Sequence, residues 1–574
     1  ERLHSSLQFV PLLLANLTVI VFLRLKYKTL TSKAFRHRST GRYGEIFSNW
    51  GLFWALFSAF LYAVSFPSFL NLQGFSYLAW VALVPLFLVI RYSSFRAAVL
   101  YGITFGVVQA MLTNYWLGTF QLLSLQVVSV FFILYYLLFM SPVVWLYQKL
   151  EFSALRFLVF PSAWVLFDFL RSSGFLGYPW GMLGVTQYKF LPLIQLSSIT
   201  GVWGITFIVI LADSVFSEIT AMFLSGRNMN RKLIFPAVIT LISVFTLNLA
   251  GGYAFLLITS KRDSSEKKET ARVALIQQNS DPRKNYYEDT FKRLVRITDE
   301  SMKYHPDLVA WSETAFVPNI RRWSKYDPSK YPLAKLVKEF LSFQKGLHEW
   351  LITGNDDYTL IEKTDKLGNT KTERLDFNAS VLFSPSGKRV QTYHKIRLVP
   401  FTESFPYKKQ LPFIYNLLVN FDVYLWEPGK TRVVFNFPKF KFSTPICFED
   451  AFPQDVRKFV LAGADVILNL SNDYWSLTKV EAKQHFINSI FRTVENRRPL
   501  LRSTASGVTA YVDITGRVVR KAPYYVETYL IVDVPVKNKL STVYTKYGDW
   551  FPFFLGGLLI FLFILSLKKK TEKY

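Results

Sequence analysis

Eight apolar blocks constrain what this chain can fold into, at about 50–70, 76–92, 97–119, 122–147, 156–172, 193–220, 233–258 and 550–567. Each approaches the ~20 residues that an α-helix, rising 1.5 Å per residue, needs to cross a ~30 Å hydrocarbon core. Blocks of this length predict a polytopic α-helical membrane domain rather than a soluble core. A further apolar stretch at about 7–23 is either a ninth span or an uncleaved anchor, because no small-residue cleavage site stands before the basic run that follows it.

Basic residues cluster beside these blocks, at Arg24–Arg42, Arg91–Arg96, Lys149–Arg156, Arg227–Lys232 and Lys568–Lys573. When the spans alternate, these loops fall on one side, which the positive-inside rule makes cytoplasmic. The same placement accounts for a net charge of +27, from 67 basic and 40 acidic residues, through anionic headgroups. No nucleic-acid partner is expected. The long segment between the seventh and eighth blocks then lies outside the cytoplasm.

That segment has another texture. Short β-branched runs recur at Val273–Ile276, Leu308–Trp311, Leu351–Gly354, Ser380–Phe383, Phe442–Ile446, Val466–Leu470 and Tyr529–Val534. Amphipathic helical stretches such as Tyr287–Tyr304 and Lys479–Asn496 lie between them. Alternation of this kind predicts an α/β domain built on a central sheet. The expected organisation is an extension over 1–45 that carries the 7–23 stretch and a membrane domain of about seven spans over 46–261. A catalytic domain over 262–545 follows, then a last span with a basic tail over 546–574.

The familiar phosphate, dinucleotide, serine-elbow and zinc motifs are absent, and the six histidines show no ligand spacing, so no metal or other cofactor is expected. Cys447 is the single cysteine, which leaves no intrachain disulfide. Three islands remain. Leu308-Val-Ala-Trp-Ser-Glu313 sets a carboxylate just past an apolar strand. Tyr393-His-Lys-Ile-Arg-Leu-Val-Pro-Phe-Thr-Glu403 offers Lys395 and a second carboxylate. Ser443-Thr-Pro-Ile-Cys-Phe-Glu449 runs a strand into Cys447.

A thiol nucleophile needs a base, for which a carboxylate in an apolar pocket serves, and a lysine steadies first the thiolate and then an oxyanion. Taken singly, each island has a plainer reading. Acidic residues after strands often cap helices, and lone lysines snorkel to solvent. Together, each at a strand end, they form a sufficient set for acyl transfer.

Glu, Lys and Cys in this order resemble the nitrilase superfamily. A closer resemblance is to the apolipoprotein N-acyltransferase family, carried by His394–Glu403, Ile446–Glu449, Leu470-Ser-Asn-Asp-Tyr-Trp475 and Arg498-Pro-Leu-Leu-Arg-Ser-Thr-Ala-Ser-Gly-Val-Thr509. Leu78–Pro85 and Gly177-Tyr-Pro-Trp180 look like family phrases of the membrane part. The resemblance implies a nitrilase-like α-β-β-α sandwich outside the cytoplasmic membrane of a bacterium, on its periplasmic side. It implies Glu313 as general base, Lys395 as oxyanion stabiliser and Cys447 as nucleophile, with Glu403 positioning Lys395 or a substrate amine. Phe448, Glu449, Trp475 and Tyr286 would line or support the pocket, and Phe452, Tyr474 and Trp475 are candidates for a lid.

By the same resemblance, a phospholipid donates a fatty acyl chain to Cys447, and the α-amine of a diacylglyceryl-cysteine at a lipoprotein N-terminus accepts it without a cofactor. Phe448, Tyr286 and Thr402 depart from the tyrosine, tryptophan and glycine of the family. The alternative is a membrane-tethered amidase that passes its acyl-enzyme to water, since both share the first half-reaction. Asp168 and Arg171, three apart on one helix face near the end of the fifth span, are read as a structural pair.

Overall fold

A computed structural model describes residues 46–568 apart from 48, 121, 152, 226–230, 266–268, 282–285, 365–369, 406, 409, 420–424 and 537–539. The 1–45 extension with its 7–23 stretch, the Arg24–Arg42 cluster, most of the Arg227–Lys232 loop and the tail beyond Lys568 lie outside the described residues. Two compact units emerge. One falls within Glu1–Thr259, Ser476–Ile487 and Tyr547–Tyr574, and the other comprises Ser260–Trp475 and Asn488–Lys546.

The first unit is helical. Among the described residues five helices are long and apolar enough to cross a membrane: Phe95–Thr113, Leu125–Lys149, Val202–Leu224, Ile234–Lys261 and Trp550–Leu567. Three of the eight expected spans are shorter than that. The 50–70 block forms a helix over Gly51–Ser65, the 76–92 block a 3₁₀ turn followed by Val84–Tyr92, and the 156–172 block a 3₁₀ turn followed by Val159–Arg171. The 193–220 block is broken at Gly201, whose φ of 69° lies in the left-handed region that suits glycine and ends a helix.

Asp168 and Arg171 are both buried, and Arg171 Nε donates to Asp168 Oδ1 at 2.8 Å. The guanidinium also donates to the carbonyls of Tyr178 at 2.9 Å and Trp180 at 2.6 Å, tying down the Gly177–Trp180 phrase. A buried charge is tolerable when its donors are used in this way.

Ser476–Ile487 groups with the helices, so the stretch expected as one catalytic domain is interrupted. Gln484 explains the grouping. Its side chain accepts from Trp116 Nε1 at 3.0 Å and donates to the carbonyls of Pro67 at 2.8 Å and Thr113 at 3.0 Å.

Among the described residues the second unit holds twelve strands: β1 (Thr270–Gln277), β2 (Leu308–Ala310), β3 (Trp350–Thr364), β4 (Thr370–Phe383), β5 (Arg389–His394), β6 (Val434–Asn436), β7 (Lys441–Ser443), β8 (Val466–Ser471), β9 (Leu500–Thr504), β10 (Ala510–Val512), β11 (Val518–Lys521) and β12 (Thr528–Pro535). They form two six-stranded sheets, ordered β12-β1-β2-β3-β4-β5 and β11-β10-β9-β8-β7-β6.

Strand periodicity sorts the side chains into layers. Val273, Leu275, Leu308, Ala310, Ile352 and Leu382 pack with Phe442, Leu468, Leu470 and Leu501 of the other sheet. Their alternates Ala274, Ile276, Val309, Trp311, Leu351 and Val381 pack with Phe291 and Leu294 of helix Tyr287–Met302 and with Val337 and Phe340 of helix Pro332–Leu347. The unit is thus an α-β-β-α sandwich, in which a one-residue slip of any strand would exchange two cores.

Candidate active site

The three islands converge because each leaves the C-terminal end of a strand, where open α/β sheets place their ligands. Glu313 lies three residues past β2, Lys395 directly follows β5, and Cys447 follows β7 by four. Gly354 on β3 lets the Glu313 turn approach, since a Cβ there would lie 2.3 Å from the Thr314 backbone nitrogen.

Lys395 is wholly buried, and its ammonium donates to Glu313 Oε1 at 3.1 Å and to Glu403 Oε1 at 2.9 Å. Glu313 Oε1 also accepts from Asn378 Nδ2 at 2.8 Å, and its Oε2 accepts from the backbone N–H of Asn472 at 3.0 Å. Glu403 Oε2 accepts from the backbone N–H of Val399 at 2.8 Å, which fixes the second carboxylate. Burial alone would pull the Lys395 ammonium's pKa down, but Glu313 and Glu403 reverse this and hold it above the ordinary lysine range. Burial likewise raises the Glu403 carboxyl, and Lys395 counters it only in part.

Cys447 is half-buried at the start of a 3₁₀ turn, Cys447–Ala451, with a φ of 52°. A non-glycine residue in this region is held there by its surroundings. Asn469 Nδ2 supplies part of that hold, donating to the carbonyls of Pro445 at 3.0 Å and Cys447 at 2.8 Å. Glu449 supplies the rest. Its carboxylate accepts from the backbone N–H groups of Ile446 at 2.8 Å, Ile396 at 3.0 Å and Arg397 at 2.8 Å, and from the Tyr393 hydroxyl at 2.9 Å. It therefore staples the Cys447 turn to the lysine segment. Burial pushes the Glu449 carboxyl up to about 7 against these donors.

Burial also pushes the Cys447 thiol well above its ordinary range, with Glu313 acting the same way and Lys395 opposing. The Cys447 thiol therefore holds its proton more firmly than an exposed cysteine does.

Phe448 is half-buried, with the Lys395 ammonium 5.6 Å from its ring centre, and Phe452 meets it edge-on at 5.2 Å. Phe452 is only 3% exposed and lies beneath the Arg397 guanidinium at 4.0 Å, so it forms part of the wall and not a lid. Trp475 is half-buried just past the Asn472 loop, next to Tyr474, whose ring lies 6.4 Å from that of Tyr525. Tyr286 is 83% exposed at the start of helix Tyr287–Met302, outside the buried cluster. Asn378 and Asn469 escaped the sequence reading. Their signal was an amide inside an otherwise apolar buried strand, as in Val466-Ile-Leu-Asn-Leu, where a polar group requires partners.

Residues 58–215 match the apolipoprotein N-acyltransferase N-terminal domain, and residues 272–539 match the carbon-nitrogen hydrolase domain. Apolipoprotein N-acyltransferase 1 of Treponema denticola is 37% identical over 543 residues, covering 91% of this chain and 96% of the relative. Apolipoprotein N-acyltransferase 1 of Treponema pallidum is 33% identical over 521 residues, covering 88% of this chain and 93% of the relative. Apolipoprotein N-acyltransferase 2 of Treponema denticola is 32% identical over 505 residues, covering 83% of this chain and 90% of the relative. With five helices among the described residues long and apolar enough to cross a membrane, and with such relatives, the chain is a multi-pass bacterial membrane protein. Matched along nearly its whole length by such relatives, and joining the same two domains, it belongs to the apolipoprotein N-acyltransferase family.

Proposed function

We propose that the chain moves a fatty acyl group from a membrane phospholipid to the α-amine of a lipoprotein's N-terminal diacylglyceryl-cysteine, through a thioester on Cys447. Glu313 takes the Cys447 proton as sulfur attacks the ester carbonyl, and the Lys395 ammonium stabilises the oxyanion that forms. Collapse of this intermediate breaks the ester C–O bond. The proton held by Glu313 passes to the leaving alkoxide, and a lysophospholipid departs. The acceptor amine then attacks the thioester, Glu313 takes its proton, and the thiolate leaves and is reprotonated. An amide and free Cys447 result. Glu403 keeps Lys395 aimed at the reacting carbon, and the Phe448 ring walls the lysine from water.

The observation that supports this reading is the Lys395 ammonium held between Glu313 and Glu403 beside a strand-end cysteine. We place the catalytic domain, 262–545, on the periplasmic side of the inner membrane, with 46–261 and the last span over 546–574 embedded in it. The 1–45 extension stands outside this assignment. Phospholipid donor and lipoprotein acceptor then meet the site at one leaflet.

Intact mass of the purified protein after incubation with phosphatidylethanolamine tests the proposal. The wild type gains one fatty acyl mass that hydroxylamine removes, and Cys447→Ala gains none. Absence of the gain in a folded wild-type protein would sink the thioester, and release of free fatty acid without an acceptor would favour the amidase.

A further inference from the structure

We infer that Arg502 is a positioning residue for this site, binding Asp450 and Asp473 at once and so holding the nucleophile turn in register with the loop that fixes Glu313. The inference rests on the reading of Cys447 and Glu313 given above, and it accounts for two phrases, Leu470–Trp475 and Arg498–Thr509, that the acyl-transfer steps leave unused.

Arg502 stands in β9 and is fully buried, as are both its carboxylate partners. Its Nε donates to Asp450 Oδ2 at 3.2 Å, and its Nη2 lies 3.6 Å from Asp473 Oδ2. Asp450 belongs to the turn that begins at Cys447. Asp473 follows Asn472, whose N–H donates to Glu313, and is braced by Ser471 Oγ donating to its Oδ1 at 2.9 Å. The parallel register of β8 and β9 sets Arg502 opposite Asn469, the residue whose amide holds the Cys447 carbonyl. Neighbouring positions in such a pair share a face. One guanidinium thus joins the loop that holds Glu313 to the turn that begins at Cys447, from the strand position opposite Asn469.

Gly507 is the second sign of construction. A Cβ at this position would lie 2.1 Å from Asp473 Oδ2, so the absence of a side chain leaves room for that carboxylate. Stability alone does not require the cluster. Buried ion triads are often replaceable by apolar side chains without loss, whereas removal of one member strands a charge. The stranded charge here would act on the nucleophile, because Glu313, Lys395, Asp473 and Glu403 all bear on the Cys447 thiol.

The test uses the full chain in detergent and compares the wild type with Arg502→Gln, Arg502→Lys and the double variant Arg502→Gln/Asp473→Asn. Two rates are read at fixed pH: single-turnover acylation by phosphatidylethanolamine, and alkylation of Cys447 by iodoacetamide. Arg502→Gln should slow acylation about 10–100-fold at saturating lipid with an unchanged half-saturating concentration, the pattern of a group acting on the reacting geometry and not on binding. Arg502→Lys should recover most of that rate, and the double variant should recover the alkylation rate that Arg502→Gln loses.

A folded Arg502→Gln that acylates at the wild-type rate overturns the inference. Equal loss in the Gln and Lys variants, tracking lowered thermal stability, also overturns it. If Arg502→Gln does not fold, Gly507→Ala displaces the Asp473 carboxylate while leaving Arg502 in place, and wild-type acylation there counts against the inference. Failure of the wild type to form any thioester rejects the reading of Cys447 instead, and the alkylation rates still decide whether Arg502 sets the turn.

Discussion

The backbone N–H of Asn472 donates to Glu313 Oε2 at 3.0 Å across 159 residues of chain, while Oε1 of the same carboxylate serves Asn378 and Lys395. A carboxylate with both oxygens engaged keeps one rotamer, so the proposed base would not depend on substrate for its orientation. Fixed geometry of this kind is what makes a carboxylate effective in proton transfer, since reach comes before acidity.

Replacing Glu313 with Gln keeps the shape and removes the base. Acyl-enzyme formation should fall about 10²–10⁴-fold, the usual contribution of a positioned general base. The mass gain over time after lipid addition checks this. A rate within threefold or so of wild type would remove Glu313 from proton transfer.

Lys395→Met should fail for a second reason as well as lost catalysis. It strands Glu313 and Glu403 in a buried site with no cation, at a cost of about 3–5 kcal/mol. Adding Glu403→Gln should return part of the stability and none of the activity. Denaturant unfolding of the two variants, read beside single-turnover acylation, separates the effects. Recovery of activity in the double variant would contradict the role of Lys395 at the oxyanion.

Much of this was legible before the fold was known, for local reasons. Glu313 follows the apolar run Leu308–Trp311 and Cys447 the run Phe442–Ile446, and a polar residue at the end of such a run marks a strand terminus. The strand before Lys395, Arg389–His394, is instead mostly polar, and Lys395 stood out only through its family phrase. The continuous apolar run Val273-Ala-Leu-Ile276 marked a strand, while its division between two cores appears only in the fold. What escaped depends on partners distant in sequence. Nothing in Ser476–Ile487 announces that Gln484 finds Trp116, Thr113 and Pro67. The 193–220 block reads as one span by hydropathy, which cannot register the left-handed Gly201. An aromatic such as Phe452 looks the same in a sequence whether it packs in a wall or covers a pocket.

Asn469 offers a sharper contrast. Its amide donates to two carbonyls, so Asn469→Ala leaves both acceptors without that donor and should cost about 1–3 kcal/mol. Asn469→Asp should be worse than Ala although it is nearer in shape, because a buried carboxylate would face two carbonyl oxygens. Acylation should slow in the order Asp, Ala, wild type, slowest first. Thermal midpoints and single-turnover rates measured together check the ranking. Equal behaviour of Ala and Asp would mean the amide does not hold the turn.

Asp357 carries the pH prediction. It is buried on β3, where Arg321 Nε lies 3.0 Å from Oδ1, Arg389 Nη2 lies 2.7 Å from Oδ2, and His394 Nε2 lies 2.9 Å from Oδ2. Burial would raise its carboxyl, but the bond to His394 and the charges of Arg389 and Arg321 outweigh burial and lower it to about 2. The folded state therefore favours the ionised form more than the unfolded chain does. The stability this contributes is complete above the ordinary aspartate range and is lost as pH falls through about 4 to about 2. Lowering from the ordinary aspartate value to about 2 corresponds to about 2.5 kcal/mol in full. Because His394 directly precedes Lys395, acid should loosen the lysine segment as well as the sheet edge. Asp357→Asn lacks this titration. Its unfolding free energy should therefore fall about 2 kcal/mol less than that of the wild type between about pH 5 and about pH 2, although it starts lower. Denaturant unfolding of both proteins at the two pH values gives the difference directly, and parallel pH profiles would show that the Asp357 cluster does not stabilise the fold through its charge.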